Sequence, residues 1–130
     1  MQNKLNFPEP DEIDLRSLIE SINVGVCRIS SPPKSRLVKA NSALARIMGF
    51  SSIKELMLHP FLAHFNDKAD AFLIAEKARN QGYLKSEQIK LRRLTGEIIW
   101  VSLAATVQYN GSGLIEWIDG VVEDITEQKT

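Results

Sequence analysis

The stretch Glu97-Ile98-Ile99-Trp100-Val101-Ser102-Leu103-Ala104-Ala105-Thr106-Val107-Gln108-Tyr109 decides the fold. Ile99, Val101, Leu103 and Ala105 alternate with Trp100, Ser102, Ala104 and Thr106, giving one apolar and one mixed face, the period of a strand laid on a core. Thr95-Gly96 precedes this strand and Asn110-Gly111-Ser112-Gly113 follows it. Both are hairpin signals, so the stretches Leu84 to Arg93 and Leu114 to Thr126 become its antiparallel neighbours.

Upstream, Val24-Gly25-Val26-Cys27-Arg28-Ile29 is short and β-branched and ends at Ser30-Ser31-Pro32-Pro33, which can neither continue a helix nor donate to a ladder. Arg36 to Ala40 reads as a second strand, and so short a connection favours antiparallel pairing. Three helices follow. Asn41-Ser42 supplies a cap, Ala43, Leu44, Ile47 and Met48 form a stripe, and Gly49 ends the helix. Ser52-Ile53-Lys54-Glu55 has capping-box spacing and starts a helix that runs to about Leu58, before Pro60. Asp67 caps the longest helix, whose body Ala69 to Asn80 turns Phe72 and Leu73 inward and closes at Gly82. Ahead of everything, Leu15, Leu18, Ile19 and Ile22 fall at helical spacing, with Asp11, Glu12 and Asp14 where the helix dipole favours acids.

The order β-β-α-α-α-β-β-β predicts an α+β architecture: one five-stranded antiparallel sheet, with the helices inserted after the second strand packed on one face. Residues 1–12 are expected to be a flexible segment, 13–126 a domain with its N-terminal flanking helix, and 127–130 the start of a linker.

The composition agrees with a single soluble domain. The chain has 130 residues, 44% hydrophobic and 25% charged, enough to bury roughly two-thirds of its unfolded surface without staples. Lys plus Arg and Asp plus Glu number 16 each. That balance argues against a nucleic-acid binder, which needs excess positive charge. The apolar run Ala71 to Ala75 is far shorter than the ~20 residues of a membrane span, so no membrane insertion is expected. The first ten residues lack the apolar core of a signal peptide. Cys27 is the single cysteine, which excludes a disulfide framework and makes a cytoplasmic location the default.

The stretch Asn41-Ser42-Ala43-Leu44-Ala45-Arg46-Ile47-Met48-Gly49-Phe50-Ser51-Ser52-Ile53-Lys54-Glu55-Leu56 resembles the Asn-x-Ala … Gly-aromatic-Ser … Glu-Leu signature of PAS sensor domains. Arg93-Leu94-Thr95-Gly96-Glu97-Ile98-Ile99-Trp100-Val101 resembles the strand-turn-strand of that family. Asp119-Gly120-Val121-Val122-Glu123-Asp124-Ile125-Thr126-Glu127-Gln128-Lys129 resembles its Asp-Ile-Thr-Glu-x-Lys ending. The order and spacing of the three motifs carry the resemblance, from about Leu15 to Lys129. It is nearest to bacterial sensory-box modules upstream of histidine kinases or diguanylate cyclases.

The resemblance implies the PAS fold with sheet order 2-1-5-4-3. It implies a sensing and dimerisation module that relays a conformational signal to a covalently attached C-terminal effector. A homodimer is expected, with Leu15, Leu18, Ile19 and Ile22 at its interface. Trp100 and Trp117 are further candidates for the outer sheet face, or for ordinary cross-strand packing. Asn41, Asp124 and Thr126 are the relay residues, a side-chain hydrogen bond from Asp124 or Thr126 setting the direction of the segment beyond.

The pocket lining read from the pattern is Leu44, Ile47, Met48, Phe65 and Phe72 from the helices, with Ile89, Leu91, Val101, Leu103 and Val122 from the sheet. It is almost wholly apolar, so a filled core or a small apolar ligand is expected and no cofactor. Light-sensing relatives carry an Asn-Cys-Arg-type helical motif and late-strand amides. Here Leu91, Val101 and Val122 stand at the matching strand positions. Haem-binding relatives place an axial His on or just before the longest helix, and Asp67 to Gln81 contains none. His59 and His64 are five residues apart across Pro60, a spacing that does not put both on one helix face. His64-Phe65-Asn66-Asp67 is similar to the turn that opens this helix in the family.

Cys27 reads as a buried, inert thiol. Arg28 interrupts an apolar strand, so it either reaches solvent or pairs with an acid, Glu123 and Asp124 being the nearest under the family topology. Lys90, Arg92, Arg93 and Lys34, Arg36, Lys39 read as solvated outer faces. No nucleophile elbow or oxyanion setting is visible. The domain is therefore expected not to be an enzyme. The alternatives are a haem- or flavin-bound sensor and a small cavity enzyme, which would need a titratable group in its pocket.

Overall fold

A computed structural model describes residues 23–32 and 34–129. The flanking-helix residues Leu15, Leu18, Ile19 and Ile22 lie outside them, as does the segment 1–12. Strands β1 (Val24–Ser30) and β2 (Leu37–Ala40) lead into helices α1 (Ser42–Met48) and α2 (Ile53–Leu56). A 3-10 turn (Phe61–His64) and helix α3 (Lys68–Gln81) follow. Then come β3 (Tyr83–Arg92), β4 (Ile98–Tyr109), β5 (Ile115–Asp124) and a closing 3-10 turn, Thr126–Lys129. The strands form one sheet in the order β2-β1-β5-β4-β3, and every pairing is antiparallel. This is the α+β architecture and strand order expected from the sequence.

Alternation puts one face of each strand on the core. Ile99, Val101, Leu103 and Val107 of β4 are buried, as are Ile118 and Val122 of β5 and Ile89 and Leu91 of β3. Helix α1 lies against β1 at close range. A Cβ built on Gly25 would stand 2.7 Å from Leu44 Cδ1 and 3.1 Å from its Cα, so only glycine admits the helix this near.

The caps follow from chemistry readable in the sequence. Asn41 Oδ1 accepts from the Leu44 N–H at 3.0 Å, and Gly49 closes α1 at φ 85°. Ser52 Oγ accepts from the Glu55 N–H, while Glu55 reaches back to Ser51 rather than to the cap residue itself. Asp67 Oδ1 accepts from the Ala69 N–H, and Gly82 ends α3.

Two expectations are corrected. Phe72 and Leu73 are 65% and 62% exposed rather than inward. The face of α3 turned to the sheet is Ala71, Ile74, Ala75 and Ala78, an i, i+3, i+4, i+7 stripe whose small side chains let the helix settle close. Phe72 is thereby rotated to the outside. Arg28 pairs with Asp119, not Glu123 or Asp124, because the β1–β5 register sets Arg28 opposite Asp119 and Val24 opposite Glu123. The contact is bidentate, Nε to Oδ1 at 2.7 Å and Nη2 to Oδ2 at 3.0 Å.

Candidate functional site

Between α3, the 3-10 turn Phe61–His64 and the sheet lies a cavity of about 50 Å³. Phe61, Leu62 and Phe65 wall one side, Ile74, Ala75 and Ala78 the helix side, and Cys27, Ile29, Leu84, Leu103, Ile118 and Val122 the sheet. Ala75 and Ala78 of α3 border this space with small side chains, where bulkier ones would fill it. Its surface is almost entirely carbon. Ser35, from the β1–β2 connection, also belongs to the wall.

Of the lining residues expected from the sequence, Phe65, Leu103 and Val122 border this cavity. Leu44, Ile47, Met48, Ile89, Leu91 and Val101 are buried in the packed core beside it. Phe72 is not in the lining, for the reason given above.

A second feature sits where the chain leaves the sheet. Asp124 Oδ1 accepts from the Thr126 hydroxyl at 2.6 Å and from its N–H at 2.9 Å. Thr126 Oγ1 in turn accepts from the Trp100 N–H at 3.1 Å, and the Ile125 N–H donates to the Trp100 carbonyl. The turn beyond β5 is thus tied to β4. Lys129 Nζ lies 4.7 Å from the Trp100 ring centroid, across which Lys90 also sits at 5.3 Å, and donates to Gln88 Oε1. Asn41 plays a comparable part at the start of the helical insert. Its side chain accepts from the Val26 N–H and donates to the Val24 carbonyl, both at 3.0 Å, on the strand that borders β5.

A polar groove of about 450 Å³ runs beside the Asp124–Thr126 junction, lined by Asn23, Arg46, Ile47, Arg93, Glu97, Ile99, Asp124 and Thr126. Arg93 organises it. Its guanidinium donates to the Ile47 and Arg46 carbonyls at the end of α1 and to Glu97, a cation where the helix dipole is negative. Read from sequence alone, Arg93 belongs to a solvated basic cluster. Nothing in one sequence says that the β3–β4 hairpin returns to the end of α1.

Burial dominates at Cys27 and His64, and the Arg28 hydrogen bond at Asp119. Burial, reinforced by the Asp119 charge, pushes the Cys27 thiol up to about 12. The hydrogen-bonded Arg28 holds Asp119 below the usual carboxylate range. Burial, then the proximity of His59, pushes His64 down to about 4. The His59 and His64 rings stand 5.9 Å apart with Phe50 against both, brought together by the turn at Pro60. Among the described residues no group of three or more His, Cys, Asp or Glu is placed to hold a metal ion. No helix among them is long and apolar enough to cross a membrane.

The family model described as "PAS domain" matches residues 14–81, more than half of the chain. No curated protein matches it. Among solved structures, the PAS domain of a protein from Colwellia psychrerythraea superposes with a TM-score of 0.70 at 14% identity, covering 85% of this chain and 93% of that one. A PAS domain from a two-component sensor histidine kinase gives 0.67 at 15% identity, covering 85% and 92%. An RNA-binding light-oxygen-voltage receptor gives 0.73 at 19% identity, with 99% of this chain matched to 38% of that one. At these identities the structures speak for the fold alone. Matched by the family model over α1, α2 and α3, and carrying the strand order β2-β1-β5-β4-β3, the chain belongs to the PAS domain family.

Proposed function

We propose that this sensory PAS module dimerises and relays a conformational bias to a covalently attached C-terminal effector, a histidine kinase or a diguanylate cyclase. The observation that carries the reading is the Asp124–Thr126–Trp100 junction, where side-chain hydrogen bonds rather than the β-ladder alone fix the segment leaving the sheet. A shift between β4 and β5 changes the direction of that segment, which is a two-state bias and requires no chemistry within the domain. Asn41, the cap of α1 hydrogen-bonded to β1, is the matching relay point. Dimerisation through Leu15, Leu18, Ile19 and Ile22 belongs to the same proposal, supported by their helical spacing. The test is a chimera carrying the chain ahead of a histidine kinase. Asp124→Asn is expected to shift autophosphorylation severalfold without unfolding the domain, and unchanged output overturns the relay.

The reading takes the module to work without haem or flavin, in the cytoplasm. A cavity of about 50 Å³ supports it, since a tricyclic or tetrapyrrole ring needs several times that space. Leu91, Val101 and Val122 also offer a flavin ring no side-chain hydrogen bond. The purified protein is expected to be colourless, and a Soret band or a flavin spectrum contradicts this. A small apolar ligand is the second reading, favoured by the carbon-lined cavity.

A further inference from the structure

Ser35 carries a combination that packing does not explain. It is fully buried, and its hydroxyl has no hydrogen-bond partner among the described residues. Its φ is 46°, the one positive value among the described non-glycine residues. A residue with a Cβ is disfavoured there, so backbone need alone would select glycine. Filling the space alone would select alanine, which leaves no orphaned hydroxyl. Both considerations act against serine, and serine stands in the wall of an otherwise carbon-lined cavity.

The position is also held from both sides. The Ser35 N–H donates to the Ser31 carbonyl at 3.3 Å, and its own carbonyl accepts from the Phe61 N–H at 3.1 Å. Ser35 thus joins the β1–β2 connection to the 3-10 turn that walls the cavity.

We propose that the cavity takes a small aliphatic molecule bearing a single neutral oxygen, of the class of short-chain alcohols and ketones, and that the Ser35 hydroxyl is its one polar anchor. This deepens the sensory reading above and rests on it. The volume sets the size. At about 50 Å³, where a single water needs roughly 10–15 Å³, the space holds on the order of three to five heavy atoms. The lining sets the chemistry. A carboxylate or ammonium would be buried without a countercharge, whereas one hydroxyl or carbonyl finds a partner in Ser35. The hydroxyl is covered in the wall, so pairing with a guest requires it to turn about its one side-chain torsion. The guest then satisfies a group otherwise left unpaired, beside the Phe61 contact, which couples occupancy to the 3-10 turn.

The test titrates 1-butanol and, separately, xenon into the ¹⁵N-labelled full chain and into its Ser35→Ala and Ser35→Gly variants. Saturable 1-butanol shifts centred on Ser35, Leu84 and Ile118 are expected. Binding should weaken roughly fivefold in both variants, the loss of one hydrogen bond, while xenon binding is retained. Both variants should be at least as thermally stable as the parent without alcohol, which a purely structural serine would not allow. Equal 1-butanol affinity in parent and variants, binding of xenon alone, or binding of neither overturns the proposal. These outcomes are independent of the kinase chimera: a module that binds nothing can still relay through Asp124, and one that binds 1-butanol can fail to relay.

Discussion

The hydroxyl of Thr126 sits 2.6 Å from the Asp124 carboxylate and holds the Trp100 backbone N–H at 3.1 Å on its other side. One side chain therefore closes a local turn and ties it to the neighbouring strand. Its Oγ1 is also 3.4 Å from the Trp100 carbonyl, but with one proton to give, the shorter contact to Asp124 takes it.

Thr126→Val keeps the shape of the side chain and removes both bonds. The Trp100 N–H and the Asp124 carboxylate each lose a partner, which should cost about 1–2 kcal/mol. Chemical denaturation checks this, together with faster amide exchange at Trp100. Unchanged exchange there means that the hydroxyl does not hold the junction.

Gly25→Ala should destabilise the domain by roughly 1–3 kcal/mol, because the new methyl meets Leu44 at its backbone as well as its side chain and α1 must move. In a Leu44→Ala background the same change should cost less, since the closest atom, Cδ1, is gone. A double-mutant cycle in urea measures the difference, and strict additivity rules out the contact as the cause.

His64 gives the stability a definite pH sign. Its folded-state pKa of about 4 lies below the ordinary 6.5, so between those values the unfolded chain binds the extra proton. The contribution is full above about pH 6.5 and is lost progressively as pH falls towards 4, by up to about 3 kcal/mol. His64→Phe should flatten that part of the curve. A parent curve already flat from pH 6.5 to 4 removes His64 from the account.

Cys27, buried with its thiol pushed up to about 12, should not react with iodoacetamide at pH 8 in the folded protein and should react fully in denaturant. Labelling followed by mass spectrometry reads this out. Rapid native-state alkylation contradicts a covered thiol.

Much of the architecture was legible because it rests on local rules. Alternation at Ile99 to Ala105 and the caps at Asn41, Asp67 and Gly82 each depend on a few neighbouring residues. What could not be read depends on how elements meet. In α3, Phe72 and Leu73 outweigh Ala71, Ile74, Ala75 and Ala78 in hydrophobicity, yet close approach to the sheet favours the small set. Arg28 required the β1–β5 register, which no local pattern contains. The His59–His64 approach and the return of Arg93 to α1 depend on tertiary turns. Ser35 gives no signal at all, since a positive φ at serine is visible only in the folded chain.

The central claim, that the domain acts by fixing the direction of the segment leaving β5, is tested most directly by kinase output from the chimera with Thr126→Val set beside Thr126→Ser. Serine keeps the hydroxyl and should retain the parent's output, while valine should move autophosphorylation severalfold at a temperature where both variants are folded. Identical output from parent, serine and valine chimeras would contradict the account.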